Sequence, residues 1–361
     1  MEHPFAAVGG EAQASARTDD DGQAALLASI RPIDKDVEEF LLDIDRRIEP
    51  HLKRALARVP NVNPLQRGVA HQITSGGKRI RAALCVASCE LFGSPYYRSL
   101  NLASAIEHMQ NFTLVHDDIA DGDTHRRAQE SIWKQFGVPH GINIGDAFVP
   151  LAALAIIQAP YAASLKVRLI EMLAEFGLEM AEGQTLDLNL RRNDDVTFED
   201  YFACTRKKTG AFLAMATVGG GLIGGATDEQ LEQLREFAFL AGVAFQIKDD
   251  ILDIDGTKGR ARGSDILEGK RTLMVVHAAE NATPDDREAL FRILNMNRLA
   301  KSRGEVDRVR EIFRRTGAAE HSAATAERII EEAAGHLMTL PETDAKYRLL
   351  RLARYLSKRM H

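Results

Sequence analysis

Along most of the chain apolar residues recur every third or fourth position, the spacing that puts one apolar stripe on a helix. A first amphipathic helix is expected over residues 33–59, with Phe40, Leu41, Ile44, Ile48 and Leu52 on its stripe. A loop with Pro60 and Pro64 leads to a helix at 66–74, then to a glycine pair and an Ala/Cys/Leu-rich helix ending near Phe92. Gly93-Ser94-Pro95 breaks the chain before a long run in which Leu102, Ala105, Ile106, Met109, Phe112, Leu114, Val115 and Ile119 keep helical spacing. Turn residues at 136–139 and 143–146 restart a helix to about Gln158, and 165–189 and 197–219 read as further helices. The glycines at 219–221 and 224–225 are expected to mark a turn. Thr227 then reads as an N-cap, with Gln230 at the capping-box position. From Leu273 onward only amphipathic helical patterns appear. No sustained alternation marks a strand and no long period repeats, so the chain is expected to be all-α, a helical bundle.

Composition narrows the class. The chain has 361 residues, 45% of them hydrophobic, enough for a substantial core in one large domain or two. A formal charge of −6 advertises no nucleic-acid partner, so any anionic substrate must be held by local cations. Three cysteines cannot make a disulfide framework, and Cys85 and Cys89 read as packed thiols, which fits a reducing, cytoplasmic setting. The most apolar window, 147–165, is broken by Pro150, Gln158 and Pro160, and no membrane span is expected there. Residues 1–24 lack the basic start and apolar run of a signal peptide and are expected to form a disordered tail, leaving 25–361 as the folded domain.

The chemistry concentrates in residues 114–127. Asp117, Asp118 and Asp121 form DDxxD at the end of an apolar helical run, with Arg126 and Arg127 just beyond. Asp117 and Asp121 share a helix face, where two carboxylates repel unless a cation lies between them; a hard, oxygen-seeking ion such as Mg²⁺ suits the pair. A second DDxxD, Asp249, Asp250 and Asp253, closes another apolar run. Two acidic clusters ending two apolar helices are expected to face each other across a bundle and to hold metal ions and a polyanion. Gly76-Gly77-Lys78-Arg79-Ile80-Arg81, just before a helix, can cradle phosphate. Residues 256–269 form a basic, Gly-rich loop that is expected to be mobile, followed by Lys270.

In this order the motifs resemble those of the trans-isoprenyl diphosphate synthases, the polyprenyl synthetase family, from about Ile33 to the C-terminus. The matching pieces are residues 76–81, the first DDxxD with Arg126-Arg127, Gly183-Gln184 with Asp187, Lys208-Thr209, Phe245-Gln246 with the second DDxxD, and Gly263-Ser264-Asp265 with Lys270. The resemblance implies an isoprenoid-synthase type of single-domain bundle around a central active-site cavity, and a homodimer with no nucleic-acid or membrane partner. It further implies that Asp117, Asp121 and Asp249 ligate three Mg²⁺ ions, while Asp118, Asp250 and Asp253 hold metal-bound waters or orient ligands. Arg126, Lys208 and Lys270 would complete the allylic diphosphate site. Gly77, Lys78, Arg81, Arg127 and Gln110, where many relatives have His, would bind isopentenyl diphosphate. Thr209 and Gln246 would line the site near the cation. His116, beside the first motif, is expected to make a supporting hydrogen bond.

Some positions depart from the family pattern: Ala82 stands for a usual Pro, Ala128 for a common Gly, and Arg260 for a usual Lys, with Lys258 nearby. Two other functions share the scaffold, a terpene cyclase-like relative and a non-catalytic subunit, but intact Lys78, Arg81, Gln110 and Arg127 argue against the first and six aspartates against the second. Product length turns on the helix below Asp117. Thr113 lies one turn beneath, Met109 a further turn, and Phe112 to one side. Phe-Thr before an uninterrupted DDxxD resembles the archaeal type of geranylgeranyl diphosphate synthase. A C20 product is expected, with farnesyl diphosphate as the alternative.

Overall fold

The computed structural model describes residues 34–127, 129–255 and 263–358. The expected tail at 1–24, Ala128, Lys258 and Arg260 lie outside them. Among the described residues the fold is all-α apart from one hairpin of two-residue strands, β1 (His125–Arg126) and β2 (Gln129–Glu130), too short to leave an alternating pattern.

The first helix, α1 (Asp34–Leu56), turns Leu41, Ile44, Ile48 and Leu52 into the core as its periodicity predicts. There follow α2 (Leu65–Thr74), α3 (Ile80–Leu91), α4 (Leu100–Asp121), α5 (Ile132–Phe136), α6 (Val138–Ile157), α7 (Ala163–Leu190) and α8 (Phe198–Thr205). A π-helical turn, Arg206–Gly210, joins α8 to α9 (Ala211–Gly224), and α10 is Asp228–Asp255. The remainder is α11 (Ser264–Glu268), α12 (Leu273–Asn281), α13 (Pro284–Leu294), α14 (Arg303–Thr316), α15 (Ala318–Met338) and α16 (Asp344–Lys358). Thr227 and Gln230 make the expected reciprocal capping bonds, at 2.9 and 3.3 Å, before α10.

The two helices that carry the acidic motifs are α4 and α10. Helix α4 lies along α6; α9 is set between α3 and α10 and also touches α4; α15 backs α10; α16 closes on α3. One apolar core runs through this bundle, and a smaller one, with Ile266, Met274, Leu290, Val309 and Phe313, knits α11 to α14. Cys85 and Cys89 are buried free thiols on α3.

Several expectations are corrected: residues 143–146 lie inside α6 and not at a turn, and residues 264–268 of the expected loop form α11. The glycines at 219–221 do not turn the chain: they lie inside α9, because an added Cβ on Gly220 would sit 2.2 Å from the Cys85 carbonyl oxygen. Small residues there serve close packing of α9 on α3, and the turn comes only at Gly225, where φ is +91°. Nor does Pro150 interrupt its stretch. Helix α6 runs straight through it on the exposed side, and by length and composition alone α6 could cross a membrane. Here its Ile144, Phe148, Leu151 and Ile156 are buried against the rest of the protein.

Gly220→Ala is therefore expected to lower the unfolding free energy by about 1–3 kcal/mol, the usual range for overpacking a close contact. Urea unfolding measures it; an unchanged midpoint would mean that α9 and α3 have room to part.

Candidate active site

Helices α4 and α10 bring their acidic ends to one cavity of about 970 Å³, which Asp117, Asp121, Asp249 and Asp250 all line. Gln110, Phe112 and Thr113 line it from α4, and Phe245 and Gln246 from α10. Lys208 and Thr209 enter from the π-helical turn, whose extra residue swells the helix locally. Gly77, Lys78 and Arg81 enter from the start of α3, Arg126 and Arg127 from the hairpin region, and Lys270 from beyond α11. Residues as far apart as Gly77 and Lys270, 193 positions in sequence, thus share one wall system.

The basic segments are tied to each other before any ligand is considered. Arg127, at φ +53°, donates to the Ser75 hydroxyl at 3.1 Å and to the Gly76 carbonyl, joining the arginine pair to the glycine loop. Arg79 turns inward instead: its guanidinium donates to Asp45 at 2.8 Å and Glu107 at 3.0 Å, which anchors the loop from beneath. Three of the expected site residues do not line the cavity. Asp118 is buried and accepts from Arg126 Nε at 2.7 Å. Asp253 accepts from the Ser264 hydroxyl at 2.5 Å and the Asp265 N–H at 3.0 Å. Met109 is buried on α4 below the cavity.

Acid and base compensate each other throughout. Lys208 pairs with Asp187 at 2.8 Å; Lys270 pairs with Asp265 at 2.9 Å and Glu268 at 2.8 Å and reaches Asp121 at 3.7 Å. Burial pushes the Asp117 carboxyl above its ordinary value, with Lys208 opposing. Burial acts on Asp121 in the same sense but is outweighed by Lys270 and Arg191, which hold that carboxyl well below the usual range. Asp187 is held down likewise, burial losing to Lys208 and Lys270. Burial drives Glu268 up to about 7 even against Lys270.

A polar chain crosses the floor of the site. Thr209 donates to Gln246 at 2.9 Å, Gln246 donates to Asp250 at 2.8 Å, and the Tyr201 hydroxyl donates to the other oxygen of Asp250 at 3.0 Å. His116 lies 3.3 Å from the Ile142 carbonyl and 3.4 Å from Asp146, both on α6, and its ring meets that of Phe112 at a tilt of 57°. The carboxylates on the facing motifs are hard oxygen donors, which fits a hard divalent cation. Asp121, Asp123 and Glu268 also bring carboxylate oxygens within 4.8 Å of one another.

Several of these residues escaped the sequence reading. Arg191 pairs with Asp121 at 2.8 Å and with Asp187 at 3.3 Å; its spacing of one helical turn from Asp187 was a usable signal. Asp123, Glu268 and Arg298 form pairs across the chain that no local pattern reveals: Arg298 meets Asp123 at 3.1 Å and Glu268 at 3.5 Å. Tyr201 meets Asp250 across 49 residues and is equally silent in sequence.

Fold and site together define an all-α protein in which paired acidic motifs and two basic segments share one large cavity with apolar walls. The polyprenyl synthetase family model matches residues 63–313, and the chain belongs to that family. It is 36% identical over 314 residues to a short chain isoprenyl diphosphate synthase of Methanothermobacter thermautotrophicus, covering 86% of this chain and 95% of the relative. It is 34% identical over 302 residues to a geranylgeranyl pyrophosphate synthase of Geoglobus acetivorans, covering 82% and 91%. Among solved structures, the geranylgeranyl pyrophosphate synthetase of Pyrococcus horikoshii superposes with a TM-score of 0.81 at 30% identity, over 90% of this chain and all of that one.

The depressed Asp187 carboxyl gives a test of the ion network. A group whose folded value lies below its unfolded one stabilises above the unfolded value, about 4, and loses that contribution as pH falls through the folded one. The stability difference between wild type and Asp187→Asn is expected to be full at neutral pH and to shrink below about pH 4. Urea titrations across pH measure it, and a difference that grew on acidification would contradict the pairing.

Proposed function

We propose that this protein is a trans-prenyltransferase that condenses isopentenyl diphosphate with dimethylallyl, geranyl and farnesyl diphosphates to give geranylgeranyl diphosphate. The observation that carries the reading is the meeting of both acidic motifs and both basic segments on one cavity that continues along apolar walls. Phe112, Leu114, Met180, Ala181 and Phe212 supply those walls, a surface for a hydrocarbon and not for water.

In this reading Asp117, Asp121 and Asp249 would hold three Mg²⁺ ions, whose charge would neutralise the leaving diphosphate and ease its departure. Arg126, Lys208 and Lys270 hold the same diphosphate by charge-assisted hydrogen bonds. Lys208 and Lys270 must then exchange carboxylate partners for phosphate oxygens, and their present pairing keeps them poised over the acidic motif. Gly77, Lys78, Arg81, Gln110 and Arg127 hold isopentenyl diphosphate. The buried Gln110 Oε1 has no hydrogen-bond partner among the described residues, although phosphate would be met by the amide's donor side. Thr209 and Gln246 face the allylic carbons. When the allylic C–O bond breaks, the double bond of isopentenyl diphosphate attacks the allylic cation to form the new C–C bond, and the resulting cation loses a proton to the released diphosphate, so no protein base is required.

Oligomer and compartment follow from the same reading. Val138, Ile142, Val149 and Ile157 leave apolar side chains exposed along α6, a face that a second copy would cover in a homodimer. Buried free thiols fit a cytoplasmic enzyme.

Three expectations test this function. Asp117→Ala, Asp121→Ala and Asp249→Ala should each fold and lose Mg²⁺-dependent turnover with labelled isopentenyl and dimethylallyl diphosphates; near-normal turnover in all three would sink the assignment. Lys78→Ala or Arg81→Ala should raise KM for isopentenyl diphosphate about ten- to a hundredfold and spare the allylic substrate, with Lys208→Ala doing the reverse. Phe112→Ala should lengthen the product beyond C20 and Thr113→Phe should shift it to C15, since both residues line the cavity and α4 descends about 5.4 Å per turn. Chromatography of the dephosphorylated products decides, and unchanged lengths would point to another wall.

A further inference from the structure

Lys301 is a buried lysine remote in sequence from every motif, in the link between the 3-10 turn Arg298–Ala300 and α14, and it does not line the cavity. Its ammonium donates to three backbone carbonyls: Ile266 at 2.8 Å, Leu267 at 2.8 Å and Leu294 at 3.0 Å. Three ammonium protons meet three carbonyl acceptors. The acceptors are carbonyls at the C-terminal ends of α11 and α13; Ile266 also accepts from the Gly269 N–H at 3.1 Å, while helix-end carbonyls such as those of Leu267 and Leu294 need partners from outside the helix.

Helix α11 is only five residues long, too short to stand by itself. Its start is tied to the second acidic motif, because Ser264 and Asp265 both donate to Asp253. Its end is Gly269, at φ +73°, and the next residue is Lys270, whose ammonium reaches Asp121 across the cavity. So α11 is a strut between Asp253 and Lys270, and Lys301 fastens its far end. Gly269 passes so near the Leu294 carbonyl held by Lys301 that a Cβ there would lie 2.5 Å from that oxygen. Arg271 fastens the other side of Lys270, donating to the Gly269 carbonyl at 2.8 Å and the Asn193 carbonyl at 2.9 Å.

Burying an ammonium opposes folding, and burial together with Arg271 lowers the Lys301 amine to about 8. An apolar side chain would fill the same space without that cost. A charge kept there at a cost points to the geometry it enforces.

We propose that Lys301 is a positioning residue that fixes the C-terminal end of α11 and thereby aims Lys270 at the allylic diphosphate. The proposal rests on the reading of Lys270 given under the proposed function. Steady-state kinetics with both substrates test it on the full chain. Lys301→Met is expected to raise KM for the allylic diphosphate about tenfold, the loss of one misplaced charge-assisted contact, and to leave KM for isopentenyl diphosphate within about twofold. Lys301→Arg, which keeps a multiple donor, should recover most of the loss. In a Lys270→Ala background, adding Lys301→Met should raise the allylic KM no further. Equal effects on the two substrates, no effect at all, or full additivity with Lys270→Ala would overturn the proposal. If Lys270→Ala by itself spared the allylic KM, the reading of Lys270 would fall instead. Should Lys301→Met not fold, Lys301→Gln is measured in its place against the same outcomes.

Discussion

Carboxylates from α4, α7 and α10 converge on one partly apolar cavity, and such an arrangement is intrinsically repulsive. Everything around the site answers that repulsion. Lys208, Arg191 and Lys270 are drawn in as counter-charges, so Asp121 and Asp187 stay ionised although burial pushes the other way. Asp117, with burial first and Asp121 beside it, is pushed up instead. The motif is therefore electrostatically split: one carboxylate held by the protein's own cations, its neighbour a turn away under-compensated. A bound divalent cation would relieve that remaining repulsion.

The same constraint explains why the cations arrive on short, braced segments. Lys208 sits on a π-helical turn pressed against α7, where an added Cβ on Gly183 would meet the Lys208 backbone nitrogen at 2.3 Å. Lys270 follows a five-residue helix braced at both ends. Arg127 lies on the glycine loop, and Arg79 pins that loop to Asp45 and Glu107. Flexible lysines on long loops would give up more conformational entropy on each encounter with a diphosphate.

Much of this was legible in the chain. The period of the apolar positions predicted the helices because a helix face and a core contact are the same pattern. The two DDxxD motifs, the glycine-led basic string and Lys208 were visible because each is a local cluster of unusual residue types. Gly219 to Gly221 were misread for a physical reason: a glycine that permits a turn and one that permits a helix to approach within a Cβ's width look alike in sequence. Pro150 was misread similarly, since an exposed proline can be carried in a long, well-packed helix at the loss of one hydrogen bond.

What the sequence by itself determined was the helical class, the acidic and basic inventory, and the ordering of motifs that resembles one family. It could not pair charges across the chain. Asp118 and Asp253 look equivalent to their neighbours in DDxxD, yet successive residues on a helix point about 100° apart, and only packing decided that these two meet Arg126 and Ser264 and do not themselves line the cavity. Arg298, Glu268, Tyr201 and Lys301 entered the account only through tertiary structure. Each acts on a partner tens of residues away, and that distance is closed by the packing of apolar faces that carry no record of which polar groups they will bring together.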